Sequence, residues 1–131
     1  MADHSQNRKT GNMGESVACD FLEKNGYKLI ERNYYCKYGE IDIIVEDEKH
    51  IIFVEVKTRA EFAKSRYGRP RMAVNYTKQQ HLLNSVYTYM HERKPGKSPR
   101  IDVIEVLYSR ISDSTNYQFK INHIKAAVGG R

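Results

Sequence analysis

Two neighbouring segments of alternating apolar and polar residues, 39–46 and 50–58, limit the fold of this chain more than any other feature. A polar turn over residues 47–49 separates them, so together they predict an antiparallel β-hairpin. Successive side chains of a strand point to opposite faces. Near the turn both faces of this hairpin carry Ile, Val or Phe, which is typical of a sheet covered by helices on both sides.

The rest of the chain supplies more strands and the helices that would cover the sheet. Apolar residues at helical spacing predict one helix over residues 13–25 and a second over about residues 77–94. Three more strands are expected near residues 27–35, 100–108 and 117–124. The order αβββαββ predicts an α/β fold with a mixed β-sheet flanked by helices. Residues 60–73 are expected to form a long basic loop.

The length and composition fit a single globular domain. The chain has 131 residues, of which 40% are hydrophobic. We expect residues 13–131 to form one domain and the polar residues 1–12 to be a flexible N-terminal arm. No apolar run approaches the roughly 18 residues that a membrane-spanning helix needs, and the start lacks the apolar stretch of a secretory signal. These features predict a cytoplasmic protein with no membrane partner.

The charge is distributed unevenly along the chain. Residues 13–56 hold five Lys/Arg against ten Asp/Glu, whereas residues 57–100 hold eleven against two. A basic block beside an acidic one favours a polyanion held over a cluster of carboxylates. The alternative is a basic cytoplasmic protein without a nucleic-acid partner.

Three charged residues stand toward the open end of the hairpin: Asp42, Glu55 and Lys57. A turn centred between residues 48 and 49 pairs Asp42 with Glu55, with Cβ atoms about 5 Å apart. Lys57 shares the face of Glu55, whereas strict alternation places Ile41 on the face opposite to Ile44. A register shifted by one residue would separate the carboxylates, and a solvated sheet face is the ordinary place for such charges. We favour a site because their face is apolar nearer the turn.

Two carboxylates held close together repel each other, and partial burial strengthens this repulsion. They therefore either keep a proton or bind a cation. Oxygen ligands with positions left for water and phosphate suit Mg²⁺ or Mn²⁺. Lys57 at the edge of such a site could orient or help deprotonate an attacking water and stabilise phosphate charge.

Further candidates lie outside this trio. Glu15 stands three residues after Asn12, so it completes a helix capping box, serves the site, or does both. Glu40 shares the face of Asp42 and either adds a ligand or only begins the strand. Lys78 falls in the first turn of the second predicted helix, where free N–H groups favour a phosphate, although such residues are often merely solvated. Basic residues after Lys57 could contact phosphates, or could form a charged loop with no partner: Arg59, Lys64, Arg66, Arg69 and Arg71.

These residues resemble the YraN family of predicted endonucleases, which lies within the PD-(D/E)xK nuclease superfamily and is related to archaeal Holliday junction resolvases. The superfamily pattern D-x(12)-E-x-K is matched by Asp42, Glu55 and Lys57. The resemblance covers nearly the whole chain after the arm. Its other motifs are Gly14-Glu15-x-x-Ala18, Gly26-Tyr27, Asn33, Gly39-Glu40-Ile41-Asp42, the segment 53–59, Lys78 and Asp102-Val103. Ile41 replaces the proline of the superfamily name, as is usual in this family.

The resemblance implies a restriction-endonuclease-like fold and metal-assisted hydrolysis of nucleic-acid phosphodiesters. Asp42 and Glu55 would then be metal ligands, together with the Val56 carbonyl. Lys57 would be the catalytic lysine, and Glu15 would match the acid of the first helix in the resolvase-like branch. DNA, including branched or otherwise structured DNA, is the expected substrate, Mg²⁺ or Mn²⁺ the cofactor, and a homodimer a possible assembly. The alternatives are a non-catalytic nucleic-acid-binding module serving a larger assembly, and a protein-interaction domain with an acidic partner.

Overall fold

The computed structural model of the chain describes residues 4–61, 76–112 and 115–128. The helices are α1 (His4–Lys24) and α2 (Tyr76–Arg93). The strands are β1 (Lys28–Cys36), β2 (Gly39–Glu46), β3 (His50–Ala60), β4 (Ser98–Arg110) and β5 (Tyr117–Ile124). This order, αβββαββ, confirms the predicted fold class. Within the described residues, neither helix is long and apolar enough to cross a bilayer.

The strands form one mixed sheet in the order β1-β2-β3-β4-β5. Neighbouring strands are antiparallel except β3 and β4, which pair in parallel from His50↔Ser98 to Ala60↔Tyr108. The chain between these two strands contains α2, and parallel neighbours need a crossover of this kind. Because the carboxyl ends of parallel strands meet at one edge of a sheet, the ends of β3 and β4 lie side by side.

Each face of the sheet packs against one helix. The cluster under α1 includes Leu22 and Ile104. The cluster under α2 includes Phe53 and Tyr89, whose rings meet edge-on with centroids 5.3 Å apart. Burial on both faces explains why the central strands are almost continuously hydrophobic.

The first helix is longer than the sequence predicted. It begins at His4 rather than near residue 13, so residues 4–12 of the expected flexible arm are helical. Periodic apolar residues mark only the part of a helix that packs on a core, whereas backbone hydrogen bonds can continue the helix through polar residues. The capping interpretation of Glu15 is therefore wrong, because Glu15 lies in the middle of α1 rather than in its first turn.

A buried polar network joins β4 to β5. The fully buried carboxylate of Asp102 accepts two 2.9 Å hydrogen bonds from Arg100 and a 3.0 Å bond from the backbone N–H of Ala126. Its Oδ2 lies 2.7 Å from Nε2 of His123. Burial alone would raise the pKa of Asp102, but the hydrogen bonds from His123, Arg100 and Ala126 outweigh burial and lower it. A buried carboxylate with this many donors stabilises the fold only while its partners are in place.

Candidate functional site

The hairpin strands part at Asp42. Pairing of β2 with β3 runs from Glu46↔Ile51 to Ile43↔Val54. It confirms the predicted pairing of Ile44 with Phe53, but the predicted pair of Asp42 with Glu55 is not part of the ladder. Instead of a further ladder pair, the backbone N–H of Val56 donates a 2.8 Å hydrogen bond to Oδ2 of Asp42. A strand residue directs its N–H and its C=O to the same side. The Val56 carbonyl therefore also faces the side on which Asp42 lies.

An irregularity in β1 and β2 accompanies this separation. Asn33 has a φ of 54°, in the left-handed region that Asn tolerates better than most residues. Ile41 and Ile44 both pack in the cluster under α2, so the expected placement of Ile41 on the opposite face is wrong. Residues three positions apart share a face of a strand only where the alternation is broken. Since Ile43 packs under α1, the break lies at Asp42.

Helix α1 approaches β3 closely enough to bring Glu15 to the same place. A Cβ atom on Gly14 would overlap Oγ1 of Thr58 and lie 2.9 Å from its Cβ. A glycine is therefore required where the helix crosses the strand. The crossing sets the position of Glu15, the next residue.

Asn33 holds Glu15 from the other side. Its Nδ2 donates a 3.2 Å hydrogen bond to Oε1 of Glu15 and a 2.7 Å bond to Oε2 of Glu40. Nη2 of Arg32 lies 3.6 Å from the same Glu15 oxygen. Glu40 thus has an amide partner at the rim, while Glu15 is fixed between α1 and β1.

Two lysines flank Glu55. Nζ of Lys57 lies 3.3 Å from Oε2 of Glu55, and Nζ of Lys78, in the first turn of α2 as predicted, lies 4.0 Å from the same oxygen. A hydrogen bond with Lys57, partial burial and the positive charge of Lys57 lower the pKa of Lys78. Two ammonium groups are therefore held within reach of one carboxylate.

The environment of Asp42 raises the pKa of its carboxyl group strongly. Burial raises the pKa of Asp42 to about 8, and the negative charges of Glu55, Glu15 and Glu40 act in the same direction. The hydrogen bond from the Val56 N–H opposes them without cancelling them. Near neutral pH the carboxyl group of Asp42 therefore keeps a proton unless a cation replaces it.

These groups line one cleft of about 480 Å³ where the strands part. The structure brings together in it all the residues predicted to act in catalysis or to bind the metal, together with Lys78: Glu15, Asp42, Glu55, Val56, Lys57 and Lys78. Gly11, Thr58 and Tyr108 complete the wall.

Of the basic residues from Arg59 to Arg71 that were predicted to contact phosphates, only Arg59 lies within the described residues. Arg59 lies 3.5 Å from the fully buried carboxylate of Glu105 and is itself only 10% exposed. The structure thus gives its charge an internal partner rather than an open position beside the cleft. Lys64, Arg66, Arg69 and Arg71 lie outside the described residues.

Sequence reasoning gave no role to Asn33, Thr58 or Tyr108. Asn33 carried a usable signal, because an asparagine inside an alternating strand marks a position where a left-handed φ is tolerated. A glycine one residue before Glu15 likewise indicated a close approach, but not its partner Thr58. Nothing in the local sequence of Tyr108 marks it, because it reaches the cleft only through the parallel pairing of β3 with β4.

The fold and the cleft together define a class: a mixed α/β domain with carboxylates and lysines gathered where the central hairpin opens. The chain belongs to the uncharacterised protein family UPF0102, whose family model matches residues 14–106. The matched segment contains every charged residue of the cleft. Gly11 and Tyr108 of the cleft wall lie outside it.

Relatives of this chain include UPF0102 proteins of Clostridium botulinum and Geobacter metallireducens. A UPF0102 protein of Clostridium botulinum (strain 657 / Type Ba4) is 38% identical over 120 residues, which cover 90% of this chain and 94% of that protein. A UPF0102 protein of Geobacter metallireducens is 41% identical over 104 residues, covering 79% and 83% of the two chains. Their names state the family and no activity.

Proposed function

We propose that the protein is a metal-dependent endonuclease that hydrolyses nucleic-acid phosphodiesters, with DNA as the substrate and branched or structured DNA among its targets. One observation carries the proposal. Two acids, Asp42 and Glu55, share a cleft with Lys57, and burial together with the negative charge of Glu55 raises the pKa of Asp42 to about 8. The resemblance to the YraN family and to PD-(D/E)xK nucleases points the same way.

The donor set fits a hard divalent ion. Asp42 and Glu55 offer carboxylate oxygens, and the Val56 carbonyl faces the Asp42 side of β3. Among the described residues, no group of three or more His, Cys, Asp or Glu side chains could hold a metal. The ion would therefore rest on two carboxylates and one backbone oxygen, and the open coordination positions suit Mg²⁺ or Mn²⁺. When bound, such an ion supplies Lewis-acid stabilisation of phosphate charge.

The side chains around this donor set have separable roles. Lys57, whose Nζ lies 3.3 Å from Oε2 of Glu55, would orient a water and stabilise charge on the phosphate. Lys78, 54% exposed, presents an ammonium and the first turn of α2 to the same phosphate. Glu15 adds negative charge to the wall of the cleft, and the hydrogen bond from Asn33 fixes the direction of its carboxylate.

A cleavage assay tests the proposal. Branched, single-stranded and duplex DNA are incubated with the protein and Mg²⁺ or Mn²⁺, alongside Asp42→Ala and Lys57→Ala. We expect cutting of at least one substrate, abolished by EDTA and reduced by about a hundredfold or more in each variant. Glu48→Gln, at the exposed tip of the hairpin, is the matched control and should cut normally. Absence of cutting, or equal cutting by all variants, would refute the assignment.

A non-catalytic nucleic-acid-binding module is the second candidate. This candidate is favoured because Glu55 pairs with both Lys57 and Lys78. The two lysines offset the negative charge of Glu55 without a metal ion. Binding that weakens steeply with salt, needs no divalent ion and leads to no cleavage would support it.

A further inference from the structure

A second cleft continues the site toward β5. It has a volume of about 550 Å³ and is lined by Ala60, Glu61, Tyr108, Ser109, Arg110 and Tyr117. Tyr108 is also part of the wall of the cleft that contains Asp42 and Glu55. The two clefts therefore adjoin at Tyr108, and a chain molecule bound at the acids would pass this side chain to enter the second cleft. We call the second cleft the aromatic cleft.

The aromatic cleft is built from rings and a guanidinium on one face of the sheet. The rings of Tyr108 and Tyr117 meet edge-on, with centroids 5.7 Å apart and planes at 80°. The guanidinium of Arg110 lies 5.9 Å from the centre of the Tyr117 ring. Val106 and Phe119, two residues from Tyr108 and Tyr117, pack under α1, so strand alternation places both tyrosines on the α1 face. They extend the apolar layer beyond the end of the core.

The charge of the aromatic cleft is compatible with a polyanion. Glu61 is its one acidic lining residue among the described residues, and its carboxylate forms an ion pair with Nζ of Lys120. Arg110 is exposed at the rim. A polynucleotide entering the cleft would therefore contact Arg110 and two aromatic rings, and the negative charge of Glu61 would be balanced by Lys120.

A third, smaller cleft adjoins the cleft that contains Asp42 and Glu55. It has a volume of about 180 Å³ and includes Tyr38, His81, Glu55 and Lys78. The last two also line the cleft that contains Asp42. The cleft that contains Asp42 therefore adjoins the third cleft at Glu55 and Lys78 and the aromatic cleft at Tyr108. A strand placed with its phosphate at the acids can leave through either neighbouring cleft.

We infer that the aromatic cleft stacks unpaired bases next to the scissile phosphate, so that the substrate class is nucleic acid with a single-stranded segment beside the cut. This inference rests on the proposed function. Aromatic rings with a neighbouring arginine bind bases of single strands through stacking, with little dependence on sequence. Bases inside a duplex already stack on their neighbours and do not present a free face to a protein ring. A flap, gap or single-stranded extension does.

Binding measured without cleavage tests the inference. Fluorescence anisotropy in EDTA compares a blunt duplex with the same duplex carrying a single-stranded extension. Tyr117→Leu removes the ring and keeps apolar volume, whereas Tyr117→Phe keeps the ring. We expect Tyr117→Leu to weaken binding of the extended duplex by about tenfold. Binding by Tyr117→Phe and binding of the blunt duplex should stay close to the wild-type values.

A tyrosine on α2 provides a matched control. Tyr87 is 77% exposed on α2 and lines none of the three clefts, so Tyr87→Leu should bind both probes normally. A 2-aminopurine base in the extension gives a second readout, because stacking quenches its fluorescence. The wild-type protein and Tyr87→Leu should quench it, and Tyr117→Leu should do so less. Tyr108→Leu repeats the test if thermal melting shows that Tyr117→Leu is unfolded.

The outcomes separate the two claims. If folded Tyr117→Leu or Tyr108→Leu binds the extended duplex and quenches 2-aminopurine like the wild type, the stacking inference is wrong. If the wild-type protein nevertheless cuts DNA in the cleavage assay, the nuclease function stands. If the wild type prefers the blunt duplex, the inference is equally wrong. If the wild type binds neither probe at low salt, the proposed function fails, and the inference fails with it.

Discussion

Gly14 of α1 and Thr58 of β3 touch so closely that a Cβ atom on the glycine would lie 2.9 Å from the Cβ of the threonine and would overlap its Oγ1. Gly14→Ala should therefore push the helix off the strand. Overpacking of this kind costs about 1–3 kcal/mol, while alanine in a helix interior recovers about 1 kcal/mol. We expect a net loss of unfolding free energy in urea and a larger loss of cleavage, because Glu15 moves with the helix.

Gly11 provides the control for this prediction within the same helix. A Cβ atom there meets nothing within 4 Å, so Gly11→Ala should raise the free energy of unfolding by up to about 1 kcal/mol. The double variant Gly14→Ala/Thr58→Ala should recover part of the loss. Equal stabilisation by alanine at both glycines would contradict the close crossing.

The raised pKa of Asp42 predicts a pH dependence for metal binding. Between the ordinary value of 3.8 and about 8, the folded state holds a proton that the unfolded chain has released. The free energy of unfolding therefore falls as pH rises through this window. A divalent ion must displace that proton, so Mn²⁺ should raise Tm more at about pH 9 than at about pH 6. Asp42→Asn should remove most of the metal effect, and an increase in Tm independent of pH would refute the ligand assignment.

Asn33 has two roles that substitution can separate. Its φ of 54° is costly for alanine by about 1–2 kcal/mol, so Asn33→Ala should lower the free energy of unfolding. Asn33→Gly should restore that stability, because glycine adopts this φ freely. Neither variant can hold Glu15 and Glu40, so both should cut DNA more slowly. Wild-type cleavage by Asn33→Gly would show that the amide link is dispensable.

The Asp102 network predicts a stability effect without a direct role in the cleft. Asp102→Asn leaves the guanidinium of Arg100 without its buried counter-charge, which costs about 3 kcal/mol. Asp20→Asn, on the exposed face of α1, should change the free energy of unfolding by less than about 0.5 kcal/mol. Chemical unfolding of both variants measures the difference. A similar small change for both would contradict the importance of the network.

The hairpin could be predicted because two local properties determine it. Alternation selects the faces and a short polar turn fixes the register, so the pairing of Ile44 with Phe53 follows from the sequence. The break at Asp42 could not be predicted in the same way, because it accompanies the left-handed backbone of Asn33 on the neighbouring strand. The alternation of apolar and polar residues in a strand does not determine the φ angle of a single residue such as Asn33.

Contacts that depend on the pairing of strands distant in sequence could not be predicted from local patterns. The local sequence predicts a phosphate contact for Arg59 and gives no sign of its contact with Glu105, whose carboxylate the parallel register of β4 brings within 3.5 Å. Tyr108 enters the cleft by the same route. Both residues depend on how the chain returns after α2, which local spacing does not determine.

The parallel register also has a consequence for the order in which the protein assembles during synthesis. The hairpin that carries Asp42 and Glu55 closes over a few residues, so it can form as soon as β3 leaves the ribosome. The pairing of β3 with β4 joins His50 to Ser98 and must wait for α2 and β4 to be translated. Until then one edge of β3 has no partner strand and the wall formed by Tyr108 is missing. The acids are therefore brought together early, whereas the surface beside them is completed only when the second half of the chain returns.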